Sequence, residues 1–329
     1  MDKEATINDS RVKPDAVTTV GVLGTGVIGS SWAIHFLRQG LDVIAWDQAP
    51  GAEQRLRDRI EEKWPAMIQL GLKKGASPQR ITFASSLEQL CQNVDLIQES
   101  TPEDLAQKQA LFARLDDITP IPVVISSSTS GLLMTDIQKC CTHPERTVIC
   151  HPFNPPYLVP FCEVVGGEKS DPAVVDWAAE FFELNGKKVA KMEKELSGFI
   201  GNRLQDAMWR EALHMVANGE CSVEDIDKSI AYGPGLRWAI MGPCMNMALC
   251  GGEGGMKRML DHFGPSLLEP WTRLEAPPLT DKLYNDMIDG FEASAKGRSM
   301  SELAAELDDC LIKIIKVLEE YRAEQGILR

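Results

Sequence analysis

The sequence has no CxxC pair among its nine cysteines (91, 140, 141, 150, 162, 221, 244, 250 and 310), so the spacing of a zinc ribbon or a thioredoxin-like redox centre is missing and no metal is expected. Several of these cysteines sit in apolar runs, where a thiol serves as a small hydrophobe, and that usage fits a reducing cytosol. No apolar run approaches the roughly 18 residues of a membrane span. The opening MDKEATINDSRVKPDAV is polar and mixed in charge, with no apolar core to act as a signal, which leads us to expect a cytoplasmic protein. Basic residues are in deficit: 34 Lys and Arg against 48 Asp and Glu leave a net charge of −14, which argues against nucleic acid or an anionic membrane surface as a partner. Repeats and low-complexity tracts are absent as well. The 329 residues with 44% hydrophobic content are enough for two soluble domains with a sizeable core.

What is present is organised around residues 20–47, VGVLGTGVIGSSWAIHFLRQGLDVIAWD. An apolar run, Val20 to Leu23, breaks at Gly24-Thr25-Gly26-Val27-Ile28-Gly29; apolar residues then return at helical spacing and again as a run from Leu41 to Trp46. The pattern predicts strand, turn, helix, strand. Its three glycines would have separate tasks: Gly24 for the tight turn, Gly26 for approach of the backbone to a pyrophosphate, Gly29 for close packing of helix on strand. The phosphates would rest on the positive end of the helix. Asp47, 23 residues after Gly24, ends the second strand; its carboxylate suits both ribose hydroxyls and repels a 2′-phosphate, so NAD is favoured over NADP.

Residues 1 to about 16 read as a flexible tail. Gly51 to about Lys74 is a charged amphipathic segment interrupted by Pro65. Short strands are expected at 80–84, 95–99, 122–126, 147–150, 161–165 and 187–191, with helices at 86–91, across STPEDLAQKQALFARLDDI from Ser100, and at 171–184. The alternation predicts an α/β, doubly wound, mostly parallel Rossmann sheet over residues 17–194. From 195 to 329 the periodicity is helical only, at about 198–218, 222–232, 238–262, 280–291 and 301–322, which defines an all-α C-terminal domain. In the last helix Leu303, Leu307, Leu311, Ile314, Ile315 and Leu318 form one apolar stripe, equally suited to its own domain or to a second subunit. The Pro-rich stretch 268–281 is the expected irregular loop.

Chemistry concentrates at ISSSTSGLL (125–133) and HPFNPPYLVPFCEVV (151–165). His151 ends a strand where a sheet of this type presents ligands. Ser130 lies 21 residues before it at the expected end of the preceding strand, Asn154 three after it, and Glu163 twelve after it on the next strand. An imidazole titrates close enough to neutrality to take a hydroxyl proton as hydride leaves the carbon, and a carboxylate can hold its other nitrogen as donor.

These motifs, together with GFIGNRL at 198–204, resemble the L-3-hydroxyacyl-CoA dehydrogenase family from about Val17 to about Leu318. The resemblance implies a Rossmann NAD domain followed by a helical dimerisation domain, hence a homodimer acting on a small-molecule substrate. It implies His151 as catalytic base, Glu163 as its orienting partner, and Ser130 and Asn202 as polar groups at the substrate oxygen. Glu103, Lys108, Ser130 and Asn154 match positions near the nicotinamide end of NAD, beside the loop Gly24–Gly29 and Asp47.

Departures from the family narrow the substrate. Members acting on CoA thioesters resemble one another in a lysine-rich segment after the second strand, whereas here GAEQRLRDRIEEKWPAMIQLG (51–71) interleaves acids. AYGPGLRWAIMGPCMNMALCGGEGGM (231–256) and PWTRLEAPPLTDKL (270–283) are instead similar to a branch whose substrate is a short 3-hydroxy acid bearing a trimethylammonium group. Such a substrate needs a cation for its carboxylate, for which Arg237 is the candidate. It also needs aromatic faces for the quaternary nitrogen, with Trp238, Tyr232, Trp209 and Trp271 as candidates against plain core packing. L-gulonate, a 3-hydroxyacyl-CoA and a crystallin-like structural role are the alternatives at this stage.

Overall fold

The computed structural model describes residues 11–239, 242–263, 272, 278, 280–283, 285, 289, 296–297 and 299–325. Two compact units are distinguished, residues 1–200 and 201–329.

The first unit is an eight-stranded sheet: β1 (Thr19–Leu23), β2 (Asp42–Trp46), β3 (Ile81–Phe83), β4 (Leu96–Glu99), β5 (Val124–Ser127), β6 (Thr147–Pro152), β7 (Phe161–Val165) and β8 (Lys188–Lys191). The order is β3-β2-β1-β4-β5-β6-β7-β8. β1 to β6 run parallel, as expected of a doubly wound fold, whereas β7 is antiparallel to β6 and β8 is parallel to β7. The reversal has a simple cause: residues 153–160 contain no helix, and a connection that short cannot carry a parallel crossover.

Both faces of the sheet are covered. On one, Leu23, Ile97, Ile125, Ile149 and Val165 pack with α3 (Leu87–Cys91), α4 (Leu105–Ile118) and α5 (Met134–Ile137) through Leu87, Leu90, Phe112, Leu115, Met134 and Ile137. On the other, Trp32 and Phe36 of α1 (Val27–Arg38) meet Phe181 and Phe182 of α6 (Pro172–Leu184), with ring centroids 5.4 to 6.4 Å apart. α2 (Ala52–Gln69) runs unbroken through Pro65, contrary to the expected interruption. Pro65 is exposed, so the carbonyl it leaves without a donor is on the solvent side. α4 begins later than the Ser100 expected, because Asp104 caps it by accepting from the Gln107 N–H. Part of the expected tail is tied down: the Trp177 indole donates to the Val12 carbonyl at 2.7 Å, and Pro14–Ala16 forms a 3-10 turn.

The second unit is helical throughout its described residues. α7 (Phe199–Ala217) leads into it, followed by α8 (Val223–Ala231) and α9 (Pro234–Trp238). The single helix expected over 238–262 is instead Pro243–Cys250 and Gly255–Phe263, separated by a 3-10 turn at Gly252–Gly254. Gly252 and Gly255 both have positive φ, 58° and 56°, which no continuous helix accommodates. Ser299 opens the last helix, Met300–Glu324, with a capping box to Glu302. The expected loop and helix between 264 and 298 lie almost wholly outside the described residues.

Candidate active site

At the carboxyl ends of the strands, where the order reverses between β1 and β4, a cleft of about 600 Å³ is lined by Gly24, Gly26, Val27, Ile28, Asp47, Ser100 and Thr101 among others. The three glycines divide the work as the spacing requires. Gly24 has φ of 82°, and a Cβ there would lie 2.8 Å from the Ser100 carbonyl oxygen; a Cβ on Gly29 would lie 1.8 Å from the Gly24 oxygen. A Cβ on Gly26 would meet nothing within 4 Å, so this is the point where the loop backbone opens to the cleft at the start of α1. Thr25 donates its N–H and hydroxyl to Asp47 Oδ2 at 2.7 and 3.1 Å, and the Ala49 N–H donates to Oδ1 at 2.8 Å. The acid is thereby fixed at the cleft wall. A dinucleotide fits this donor set: exposed loop backbone at a helix N-terminus for phosphates, an oriented carboxylate for ribose hydroxyls.

Beside the cleft, the expected Glu103 and Lys108 belong to a network of charge whose buried partner, Glu99, was not expected. Glu99, at the end of β4, is fully buried and faces Lys108 of α4, also buried, at 2.7 Å. The same oxygen accepts from the Thr101 N–H and hydroxyl at 2.6 and 2.5 Å, and the other from the Ser127 hydroxyl at 2.6 Å. Lys108 also donates to the Thr101 carbonyl and stands 3.9 Å from Glu103. Glu103 in turn accepts from the Thr129 hydroxyl and from the N–H groups of Ser130 and Gly131 at 2.5, 2.9 and 3.1 Å. Ser130 therefore lies in a clamped loop three residues beyond the end of β5, not at the strand end expected. The signal in the sequence was Gln98-Glu99, two polar residues closing an otherwise apolar strand.

The antiparallel turn of β7 places Glu163 directly opposite His151 in the register. His151 Nδ1 and Glu163 Oε2 are 2.7 Å apart with both residues buried. The carboxylate fixes Nδ1 as the protonated nitrogen, which leaves Nε2 as the one able to take a proton. The second Glu163 oxygen accepts from the Ile200 N–H at 2.7 Å. Phe199, buried, has φ of 51°, rare for a bulky residue, and its ring packs 5.1 Å from the imidazole. The strain sits where GFIGNRL delivers a backbone donor to Glu163 and a wall to His151. Asn154 is exposed in the turn after β6, joined to Pro155 by a cis bond.

Asn202 belongs to the second unit, three residues past Phe199 on α7. Tyr232 caps the end of α8 and is 79% exposed; Arg237, exposed, and Trp238, half-buried, end α9. Trp209 is 51% exposed on α7. Trp271 lies outside the described residues. No helix among the described residues is long and apolar enough to cross a membrane.

The 3-hydroxyacyl-CoA dehydrogenase NAD binding domain matches residues 19–196, and the C-terminal domain of the same enzymes matches residues 198–288. The chain belongs to the 3-hydroxyacyl-CoA dehydrogenase family, NAD-dependent oxidoreductases with a Rossmann domain and a helical C-terminal domain. Within it, the chain is 57% identical to the L-carnitine dehydrogenase of Streptomyces griseus over 92% of its own length and 90% of that protein's. It is 47% identical to the L-carnitine dehydrogenase of Oceanobacillus iheyensis, covering 92% and 98%. Among solved structures, 5-formyl-3-hydroxy-2-methylpyridine 4-carboxylic acid 5-dehydrogenase shares the fold with a TM-score of 0.79 at 24% identity, covering 92% of this chain and 99% of that one.

Proposed function

We propose that this protein oxidises L-carnitine to 3-dehydrocarnitine with NAD. The buried His151–Glu163 pair is the observation that carries the reaction, and likeness to the L-carnitine dehydrogenases supports the substrate. NAD, when bound, supplies the hydride acceptor. His151 Nε2 takes the substrate hydroxyl proton, and Glu163, held by the Ile200 N–H, stabilises the imidazolium that results. Ser130 and Asn202 hold the substrate oxygen. Gly24, Thr25, Gly26, Val27, Ile28, Gly29 and Asp47 bind the adenosine and pyrophosphate side of the cofactor. Glu103 and Asn154 serve its nicotinamide end, and Lys108 acts there through Glu103 and Thr101.

Arg237 is assigned to the substrate carboxylate, and Trp238 and Tyr232 to the trimethylammonium group; both aromatic faces are accessible enough for such a contact. The working form is a cytoplasmic homodimer. Leu204, Met208, Trp209, Leu249 and Val317 of the second unit are each more than a third exposed, which favours burial against a second copy.

The test is NADH formation on L-carnitine, D-carnitine, L-gulonate and 3-hydroxybutyryl-CoA. L-carnitine should give the highest kcat/KM; faster turnover of either of the last two substrates would replace the reading. Arg237→Met should raise KM for L-carnitine at least tenfold, since a charge-assisted bond is worth roughly 1.5–3 kcal/mol. Trp238→Leu should penalise carnitine over a 3-hydroxy acid without the quaternary nitrogen by roughly 0.5–2 kcal/mol. Equal loss on both would assign Trp238 to packing.

A further inference from the structure

We propose that Ser100 is a cofactor-binding residue whose hydroxyl, aimed by a buried relay from Trp32 and Gln98 through Ser128, donates a hydrogen bond to an oxygen of the bound dinucleotide. Ser100 and Ser128 are the first residues past the ends of the adjacent strands β4 and β5. Each is fixed by its backbone: the Ser100 N–H donates to the Leu23 carbonyl at 2.7 Å and the Ser128 N–H to the Glu99 carbonyl at 2.8 Å. Ser100 consequently stands at the reversal of strand order, against the first glycine of the loop, and lines the cleft.

The direction of the relay follows from counting donors. The Trp32 indole N–H, 3.1 Å from Ser128 Oγ, can only donate. Gln98 Nε2 lies 2.6 Å from the same oxygen and also faces the Cys150 carbonyl at 3.4 Å, which identifies that side of the amide as NH₂, again a donor. Ser128 Oγ thus has both lone pairs occupied. Its own proton has one place to go, Ser100 Oγ at 2.8 Å. Ser100 Oγ becomes the acceptor of that bond and keeps its proton for another partner, and among the described residues it has no other hydrogen bond. A half-buried hydroxyl whose lone pair is already engaged, set in the wall of a dinucleotide cleft, is matched to an acceptor: a phosphate oxygen or a ribose oxygen. Trp32 and Gln98 are buried with no route to the ligand themselves, so their effect reaches it only through the two serines.

The inference rests on the NAD reading of this cleft, and calorimetric titration of NADH into the wild-type protein checks that reading by itself. Ser100→Ala, which deletes one oxygen, should weaken NADH binding by about 3- to 10-fold. Ser100→Cys, similar in shape but a poor donor, should lose as much. The thermal midpoint of the cofactor-free protein should be unchanged in at least one of the two, which separates lost binding from lost folding. ADP in place of NADH locates the acceptor: weaker ADP binding places it in the pyrophosphate or the adenosine ribose, loss on NADH alone in the nicotinamide ribose. Wild-type NADH affinity in a folded Ser100→Ala or Ser100→Cys variant would overturn the proposal.

Discussion

The cofactor cleft, at β1 and β4, and the His151–Glu163 pair, on β6 and β7, belong to one sheet but are built by opposite means. The cleft is made by backbone and by missing atoms: three glycines, a helix start, and a carboxylate held by the Thr25 N–H and hydroxyl. The pair is made by side chains, and depends on a reversal of strand direction that sets residue 151 against residue 163. In the parallel part of the sheet, neighbouring strand ends point the same way and converge on a ligand. In the antiparallel part, a residue near the end of one strand meets one in the middle of the next. In the proposed reaction the first arrangement binds and the second orients a proton acceptor, so each should be breakable without the other.

The sharpest separation is His151→Ala. Loss of a positioned base should lower kcat by about 10²- to 10⁴-fold, while the dissociation constant for NADH stays near wild type. Glu163→Gln should cost less, because the imidazole remains with a weaker partner. A His151 variant with near wild-type kcat would remove it from the mechanism.

Lys108 tests where the cleft's charge network does its work. Its ammonium is engaged by Glu99 within the protein interior, so Lys108→Met leaves a buried carboxylate unpaired and should destabilise the fold by roughly 3–5 kcal/mol in urea unfolding. A variant of undiminished stability with weakened NADH binding would make Lys108 a direct cofactor contact instead.

Within the cleft, two glycines should fail in different ways. Gly29→Ala drives a methyl into the Gly24 carbonyl and should lower stability by about 1–3 kcal/mol. Gly26→Ala points its methyl into open space, so the thermal midpoint should hold while NADH affinity falls. Matching losses of stability in both would mean that the space at Gly26 does not serve a ligand.

The same contrast explains what was legible. The cleft was readable because GxGxxG, the helix behind it and Asp47 lie within 28 consecutive residues, each with a local physical reason to be what it is. His151 and Glu163 were legible as candidates from their residue types, and family resemblance supplied their assigned roles; nothing in the spacing of twelve states that β7 turns back on β6. Phe199 at positive φ left no trace, since sequence assigns that conformation to glycine, and Gly198 beside it hid the strain. Glu99 and Lys108 were missed as a unit because a buried ion pair looks, residue by residue, like two surface charges. The break in 238–262 was misread for the opposite reason: apolar residues recur at helical spacing on both sides of Gly251–Gly255, and periodicity outweighed the glycines.

The smallest expected effect lies behind the cleft and concerns pH. His35 is buried in α1, its ring 5.7 Å from those of Trp32 and Phe36, and neither ring nitrogen has a hydrogen-bond partner. Burial pushes its pKa well below 6.5, and the cations Lys187, Arg38 and Lys73 push the same way; the Asn185 backbone offsets part of this without a bond of normal geometry. In the folded protein the ring stays neutral, whereas in the unfolded chain it protonates below about 6.5. The unfolded state then binds the extra proton, so stability is whole above that pH and declines as pH falls, by at most about 1.4 kcal/mol per pH unit until the folded pKa is reached. Lys187 acts at the other end. Burial lowers it to about 8, so its unfavourable charge is relieved, and stability rises, only as pH climbs from about 8 toward 10.5. His35→Phe should therefore flatten the acid limb of a stability profile while leaving the alkaline limb unchanged. At neutral pH it should be neutral or slightly stabilising, since it removes two unpaired polar atoms. An acid limb of unchanged slope would assign the decline to carboxylates elsewhere.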